Sequence, residues 1–234
     1  MRFVLALFAL AASAQTSFRI EPLRPVDELR AEALRATPPA ENRQLRPPYL
    51  VDLATLHADL HFDIRYATAN NFMGSAMYSE TRAFLQRPAA DALLRAAASL
   101  RTQGFGLLIY DAYRPWYVTK MFWDATPARL HTFVANPAKG SKHNRGCAVD
   151  LGLYDLRTNE PISMPSGYDE MTLRAHPGYG GGAALERAHR DALRKAMEAE
   201  GFTVDRGEWW HYDYKAWRQY PILNIPFERV GSGG

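Results

Sequence analysis

The sequence predicts an α+β domain in which helices flank a small, mostly antiparallel sheet. Helix-type and strand-type hydrophobic patterns alternate through the middle of the chain, and two short strand-like runs form a closing pair near its end. The chain has 234 residues, of which 47% are hydrophobic and 23% charged, and this composition suits one globular core with appendages.

The first elements of this core follow from periodicity and from helix punctuation. Residues 91–103 carry leucine and alanine on one helical face, and Gly104 stops the helix. A buried strand over 106–110 comes next. A second helix is predicted over 116–123, because Pro115 suits the first turn of a helix.

The second half of the core contains one strand, one long helix and the closing strand pair. The apolar run 148–154 predicts the strand, and the amphipathic pattern of 183–200 predicts a helix that Gly201 ends. The closing pair is expected over 202–205 and 209–214.

The chain begins with the features of a secretory signal peptide. A positively charged start precedes the apolar stretch 3–12, and Ala12-Ser13-Ala14 matches a small-residue cleavage site. The apolar stretch is short for a membrane span, so we expect cleavage after Ala14 and no stable membrane insertion afterwards. The expected destination is the periplasm or cell envelope.

After the predicted signal peptide, the chain divides into an extension, a main domain and a tail. Residues 15–48 are rich in proline, and 26–36 form one predicted helix within a linker that packs along the domain surface. The main domain is expected over 49–230, and the glycine-rich residues 231–234 form a flexible tail.

Charge and cysteine content argue against several classes of protein. The net charge is +3, but the arginines are scattered and no Lys/Arg run indicates nucleic-acid binding. The single cysteine, Cys147, permits no internal disulfide. We expect it to pack as a small apolar residue and not to bind metal.

Two short segments supply the side chains of a catalytic zinc site. In Ser141-Lys-His-Asn-Arg-Gly-Cys-Ala-Val-Asp150, His143 lies in a glycine-containing loop and Asp150 lies on the strand that follows. Glu208-Trp-Trp-His211 adds a second histidine and a second carboxylate. A catalytic zinc needs three protein ligands, an open position and a nearby carboxylate, and this inventory provides them.

Five other histidines have no comparable surroundings, and we predict ordinary structural roles for them. They are His57, His61, His131, His176 and His189.

The pattern Ser-x-His-x-x-Gly-x-Ala-x-Asp followed by Glu-x-x-His resembles the zinc D,D-peptidases of bacterial cell-wall metabolism. Three segments, 63–74, 110–115 and 208–211, narrow the resemblance to the VanX-type D-alanyl-D-alanine dipeptidases. The resemblance extends from about Val51 to about Phe227. It implies the zinc D,D-peptidase (hedgehog/D,D-peptidase-like) fold, in agreement with the predicted elements.

The resemblance implies roles for the site residues. His143, Asp150 and His211 are expected to bind one Zn²⁺ per chain, and Glu208 to act as general base for the attacking water. Arg114 in Ala-Tyr-Arg-Pro is expected to stabilise the oxyanion of the tetrahedral intermediate. A structural salt bridge from Arg114 is the alternative.

Recognition of a free dipeptide needs groups for both of its charged ends. By resemblance, Asp169 pairs with the substrate ammonium with the help of Tyr66, and Ser141 hydrogen-bonds near the C-terminal end. The alternatives are that Asp169 caps a loop, or that Glu170 takes its place.

The implied activity is zinc-dependent hydrolysis of D-Ala-D-Ala, which releases D-alanine. The alternative is a D,D- or L,D-carboxypeptidase that acts on peptidoglycan stem peptides. A non-catalytic wall-binding or signalling module is a third class, and the presence of Glu208 and Arg114 argues against it.

Three departures from the family bear on specificity. Lys142 stands beside His143, where a small polar residue is usual. The glycine-rich loop 177–182 is expected to border the pocket, and the extension 15–48 to cover or frame the cleft. An open site of this kind would admit longer peptides.

Overall fold

The computed structural model describes residues 18–56 and 59–231. The predicted signal peptide 1–14, His57 and residues 232–234 of the predicted tail lie outside the described residues. None of the helices within those two ranges is long and apolar enough to cross a membrane.

The described chain is of the α+β class, as predicted, and its main sheet has five strands in the order β2-β4-β5-β7-β6. Four helices accompany two sheets. The helices are α1 (Val26–Arg35), α2 (Arg87–Arg101), α3 (Trp116–Ala125) and α4 (Ala184–Ala199). The strands are β1 (Leu50–Asp52), β2 (Leu60–Phe62), β3 (Phe84–Gln86), β4 (Phe105–Asp111), β5 (Ala148–Asp155), β6 (Phe202–Val204) and β7 (His211–Tyr214).

Pairing in the main sheet is antiparallel except between β2 and β4, which are parallel. The predicted closing pair is confirmed, because β6 and β7 pair antiparallel from Phe202–Tyr214 to Val204–Tyr212. The predicted helices and long strands also appear, with ends that differ by a few residues. Helix α2 begins earlier than predicted because Pro88 is accommodated in its first turn.

Three strands were not predicted, namely β1, β2 and β3. Each has only three residues. Such short strands show too little alternation to be distinguished from loops. Strands β1 and β3 form a separate two-stranded sheet.

The described part of the N-terminal extension, from residue 18, is an integral layer of the fold. Helix α1 packs on α3, and its residues Leu29 and Ala33 are fully buried. Before the helix, the backbone N–H of Ile20 donates to Phe72 O at 2.9 Å. The predicted helix over 26–36 is therefore confirmed, and the residues around it are held by the domain surface.

A β-bulge in β4 sets the position of the site. The register runs from Ile109 opposite Leu151 to Asp111 opposite Asp150, so Tyr110 is the extra residue. On the other side of β5, Asp150 faces His211 of β7. Directly paired residues share one face of a sheet, so Asp111, Asp150 and His211 form a row across three strands.

Candidate active site

His143 reaches this row from the loop before β5. The loop closes through a short 3₁₀ turn, His143–Arg145, and ends at Gly146 with φ 63°. A side chain on Gly146 would be strained by this φ and would collide with Leu50. The glycine therefore allows the turn that directs His143 back to its own strand.

Three donor atoms converge at the end of the row. Asp150 Oδ1 lies 2.9 Å from His211 Nδ1 and 3.3 Å from His143 Nε2. The two imidazole nitrogens are 3.0 Å apart. Within the described ranges, these three residues form the one group of histidine, cysteine or acidic side chains arranged to hold a metal ion.

The donor set fits a cation. His143 Nδ1 lies 2.6 Å from the carbonyl oxygen of Ala112, which can only accept, so Nδ1 carries the proton and Nε2 is bare. This bare nitrogen faces the carboxylate oxygen of Asp150, and two acceptors repel unless a positive charge lies between them. Two imidazoles and one carboxylate are ligands that zinc prefers.

Asp150 is held in its charged form. Burial opposes its charge, but His143 and His211 hold the pKa of the carboxyl below its usual range. Its second oxygen, Oδ2, accepts a hydrogen bond from the Tyr168 hydroxyl at 2.9 Å. Tyr168 was not predicted as a site residue, although it directly precedes Asp169.

Arg114 lies in the pocket and also forms the salt bridge that was its alternative role. Its Nε and Nη2 donate to Asp111 Oδ2 at 3.0 and 2.7 Å. Its guanidinium lies 3.8 Å from Asp150 Oδ2. The rings of Tyr66 and Phe122 lie 5.2 and 4.9 Å from the guanidinium carbon, and these contacts fix its orientation.

Asp111 is the buried anchor of Arg114. Burial raises the pKa of its carboxyl, while Arg114 opposes that effect. Its other oxygen accepts a hydrogen bond from Tyr78 at 2.7 Å. The fixed carboxylate leaves Arg114 little freedom to swing away from Asp150.

Glu208 lies beside the three donors but outside their triangle. One of its carboxylate oxygens is 3.9 Å from His211 Nδ1, and its side chain is 23% exposed. Burial raises the pKa of Glu208, and the nearby negative charge of Asp150 raises it further, against the effect of His211. A partly exposed carboxyl with a raised pKa is suited to proton transfer.

The same pocket contains a second acid, Asp169. Asp169 Oδ2 accepts a hydrogen bond from the Tyr66 hydroxyl at 2.8 Å, and its backbone has φ 57°, which is uncommon for a residue other than glycine. Burial, together with the charge of Asp150, raises the pKa of Asp169 to about 7. Glu170 also lines the pocket, but its carboxylate is engaged within the loop, where it accepts from Gly167 N–H at 3.1 Å.

Ser141 borders the same pocket and is buried. Its hydroxyl oxygen accepts from His143 N–H at 3.2 Å, so it also supports the metal-ligand loop. Its own hydroxyl proton is left to donate to another group.

The structure brings all eight predicted site residues into one cavity of about 240 Å³. They are Tyr66, Arg114, Ser141, His143, Asp150, Asp169, Glu208 and His211. Apolar side chains, among them Phe72, Val134 and Met171, complete the wall. The cavity therefore combines the candidate metal ligands, the acid Asp169 and an apolar lining.

Two expectations about the edge of the pocket are wrong. Residues 177–182 are not part of the lining. Arg190 of α4 donates a hydrogen bond from Nη1 to the backbone oxygen of Tyr179 at 2.7 Å, which keeps this loop against the helix. The described part of the extension, from residue 18, also contributes nothing to the lining. Its helix α1 packs on α3, and its residue Glu41 is bound by Arg145 and by Ile222 N–H.

The remaining histidines and the cysteine have ordinary surroundings where the structure describes them. His61 stacks on Tyr154, and His131 Nε2 lies 2.9 Å from Thr126 O. Cys147 is fully buried, and burial raises the pKa of its thiol to about 12. It is not part of the candidate metal group.

Comparisons with known proteins agree with this geometry. The family described as D-ala-D-ala dipeptidase matches residues 47–224. The D-alanyl-D-alanine dipeptidase of Escherichia coli strain K12 is 36% identical over 185 residues, which are 79% of this chain and 94% of that protein. The enzyme of the same name from Enterococcus faecium is 36% identical over 187 residues, 72% of this chain and 91% of that protein.

Two solved structures are more distant. A vancomycin-resistance D,D-pentapeptidase, VanY, in complex with Zn(II) has a TM-score of 0.37 and 17% identity, over 58% of this chain and 80% of its own. The LdcB LD-carboxypeptidase has a TM-score of 0.42 and 18% identity, over 81% of this chain and 80% of its own.

The α+β core with a His-Asp-His centre and an adjacent glutamate defines a zinc metallopeptidase. Within that class, the chain belongs to the D-alanyl-D-alanine dipeptidase family, whose match covers most of the main domain.

Proposed function

We propose that this protein hydrolyses the dipeptide D-Ala-D-Ala to two molecules of D-alanine, with one zinc ion per chain held by His143, Asp150 and His211. The observation that carries the proposal is the set of residues that line the cavity. A single cavity of about 240 Å³ is lined both by the three candidate metal ligands and by a half-buried carboxyl, Asp169. A substrate with a free ammonium and a nearby scissile peptide bond fits this arrangement.

When bound, zinc would act as a Lewis acid that polarises the peptide carbonyl and acidifies a water molecule. Glu208 takes a proton from the attacking water and passes it to the nitrogen of the leaving D-alanine. Its position near the ligands but outside their triangle supports this role, as does its raised pKa.

Arg114 stabilises the negative charge that develops on the carbonyl oxygen. The Nε and Nη2 groups of Arg114 donate to Asp111, so Nη1 of Arg114 is left to donate to the carbonyl oxygen of the substrate. Because the guanidinium is already fixed and largely buried, little reorganisation is needed in the transition state.

Asp169 and Tyr66 bind the substrate ammonium, and Ser141 hydrogen-bonds near the substrate carboxylate. Tyr66 donates to one oxygen of Asp169, which leaves the other oxygen for the ammonium. A stem peptide of peptidoglycan has no ammonium at this position. Such a substrate would leave Asp169 without an ammonium to bind. Hydrolysis of stem peptides by a D,D- or L,D-carboxypeptidase is therefore only the second candidate.

The direct test is D-alanine release from D-Ala-D-Ala by the purified mature protein. We expect a chelator to abolish the activity and added zinc to restore it. The restored activity should rise with added zinc until one ion per chain is present and then stay constant. Activity that survives complete removal of metal would contradict the proposed chemistry.

We also propose that the protein is exported and acts in the periplasm or cell envelope. The support is the sequence of residues 1–14, with its basic start, apolar stretch and Ala-Ser-Ala site. Mass spectrometry of the protein isolated from cell fractions tests this. We expect an N-terminus at Gln15 in the envelope fraction, whereas an intact Met1 in the cytoplasm would contradict export.

A further inference from the structure

The far side of the His211 ring is held by a carboxylate that the proposed chemistry does not use. His211 Nε2 lies 2.9 Å from Asp213 Oδ1. The two residues are separated by one position on β7, so both side chains project from the same face of the strand. This contact orients the imidazole from the side opposite Asp150.

Asp213 is in turn paired with Lys142. Lys142 Nζ lies 3.1 Å from Asp213 Oδ2, and the side chains are 35% and 15% exposed. The ammonium also lies 5.7 Å from the centre of the Trp217 ring. Both oxygens of Asp213 therefore have a partner, one on each side of the carboxylate.

This pair of contacts supports the tautomer of His211 that a metal ligand needs. Both ring nitrogens lie 2.9 Å from a carboxylate oxygen, Nδ1 from Asp150 and Nε2 from Asp213. When Nδ1 is a metal ligand, the ring proton lies on Nε2, where Asp213 accepts it. Nδ1 is then bare and points to Asp150 and His143. On His143, the corresponding nitrogen Nδ1 lies 2.6 Å from the carbonyl oxygen of Ala112 and 3.7 Å from Asp111 Oδ2.

The Lys142–Asp213 pair also connects the two segments that carry the ligands. Lys142 directly precedes His143 in the loop before β5, and Asp213 follows His211 on β7. Asp213 is also the strand partner of Ala148. An ion pair between these segments limits their separation when no metal is present.

We propose that Asp213 is a positioning residue for metal binding, which sets the tautomer and direction of His211, and that Lys142 holds Asp213 while joining the two ligand segments. The inference rests on the proposed function, because it takes His211 to be a metal ligand. It identifies a use for Lys142, to which the proposed chemistry assigns no role.

The experiment is a titration of the metal-free full-length mature protein with zinc, in competition with a chromophoric chelator. We expect Asp213→Ala to weaken zinc binding by roughly 10- to 100-fold, the usual effect of losing such a partner. Asp213→Asn should weaken zinc binding less than Asp213→Ala does, because the amide oxygen of asparagine still accepts from His211 Nε2–H. Lys142→Met should also weaken zinc binding less than Asp213→Ala does, because Asp213 remains.

The chain offers a matched control in the Lys120–Asp124 pair of α3. Its Nζ–Oδ2 distance is 2.6 Å, and its side chains are 25% and 26% exposed. Asp124→Ala removes an Asp–Lys pair outside the site, so we expect unchanged zinc affinity. Absorption of the cobalt-substituted protein gives a second readout, which should shift in the Asp213 variants and not in Asp124→Ala.

His211→Ala separates the two possible failures. If His211→Ala binds zinc as tightly as the wild type, the metal centre and the proposed function are wrong. If His211→Ala loses zinc while the Asp213 variants bind normally, only the positioning role is wrong. Should Asp213→Ala fail to fold, Asp213→Asn and Lys142→Met carry the test, and wild-type affinity in both would overturn the inference.

Discussion

Asp150 and His211 are directly paired residues of two neighbouring antiparallel strands, with Oδ1 and Nδ1 2.9 Å apart. Two of the three candidate ligands are therefore part of the main sheet itself. Strand backbones are held by hydrogen bonds on both sides, so this half of the centre is rigid before any metal binds. Only His143 depends on a loop, and Gly146 and Ala112 hold that loop in place.

Replacing Glu208 by Gln should separate metal binding from turnover. We expect zinc affinity close to that of the wild type, because Glu208 lies outside the triangle of donors. The rate constant kcat should fall by roughly 100- to 10,000-fold, the usual contribution of a general base. Zinc content and D-alanine release measure the two effects, and an active Glu208→Gln enzyme would show that another group takes the proton.

Arg114→Lys should impair catalysis while keeping a positive charge. Lysine cannot keep the two bonds to Asp111 and still present a third N–H group to the substrate. We expect kcat to fall by roughly 100- to 1,000-fold, as when one oxyanion donor is removed, with a smaller change in KM. A variant that changes KM alone would assign Arg114 to ground-state binding.

The raised pKa of Asp169 predicts that kcat/KM for D-Ala-D-Ala depends on pH on the acidic side of its profile. Its carboxyl has a pKa of about 7, so it is protonated below that pH and loses its attraction for the substrate ammonium. We expect Asp169 to contribute a fall in kcat/KM for D-Ala-D-Ala as the pH drops through about 7, in addition to the fall caused by protonation of Glu208, whose pKa is raised to about 8. Loss of the proton from the substrate amine should lower kcat/KM on the alkaline side, above about 8.

Asp169→Asn is the control for this titration. It should raise KM for the free dipeptide and remove the acid limb assigned to Asp169, while N-acetylated substrate is unaffected. An unchanged acid limb in Asp169→Asn would assign it to another group.

The sequence was sufficient to predict the strands and helices that carry the site. The continuous apolar runs 106–110 and 148–154 predicted β4 and β5, Pro115 marked the start of α3, and an amphipathic pattern ended by Gly201 predicted α4. The eight site residues were chosen by resemblance to a family. The structure shows that they share one cavity, while their individual roles stay predictions.

Other parts of the site depend on tertiary geometry that no local pattern encodes. The bulge at Tyr110 sets Asp111 opposite Asp150, and only the pairing of the strands reveals it. Tyr168 and Asp213 support the ligands through contacts between distant segments. The spacing of Asp213 from His211, two residues along a strand, was the one local signal available for it.

The extension should contribute to stability through Glu41. Its carboxylate accepts from Arg145 Nη2 at 2.8 Å and from Ile222 N–H at 2.8 Å, and Arg145 belongs to the metal-ligand loop. We expect Glu41→Ala to lower the free energy of unfolding by about 2 kcal/mol, because it leaves a buried arginine without its charged partner. Chemical denaturation measures the effect.

Glu28 of the same extension provides the comparison. It is paired with Arg24 at 3.5 Å, but its side chain is 61% exposed. Glu28→Ala should therefore leave stability almost unchanged. Equal effects of the two substitutions would show that Glu41 acts only as a surface charge.

The most direct test of the central claim compares D-alanine release from free D-Ala-D-Ala and from its N-acetylated form by the zinc-loaded mature protein. The presence of Asp169 in the cavity predicts a strong preference for the free dipeptide, since acetylation removes the ammonium that Asp169 is proposed to bind. Equal or faster cleavage of the acetylated form would contradict the dipeptidase assignment and favour a carboxypeptidase that acts on stem peptides.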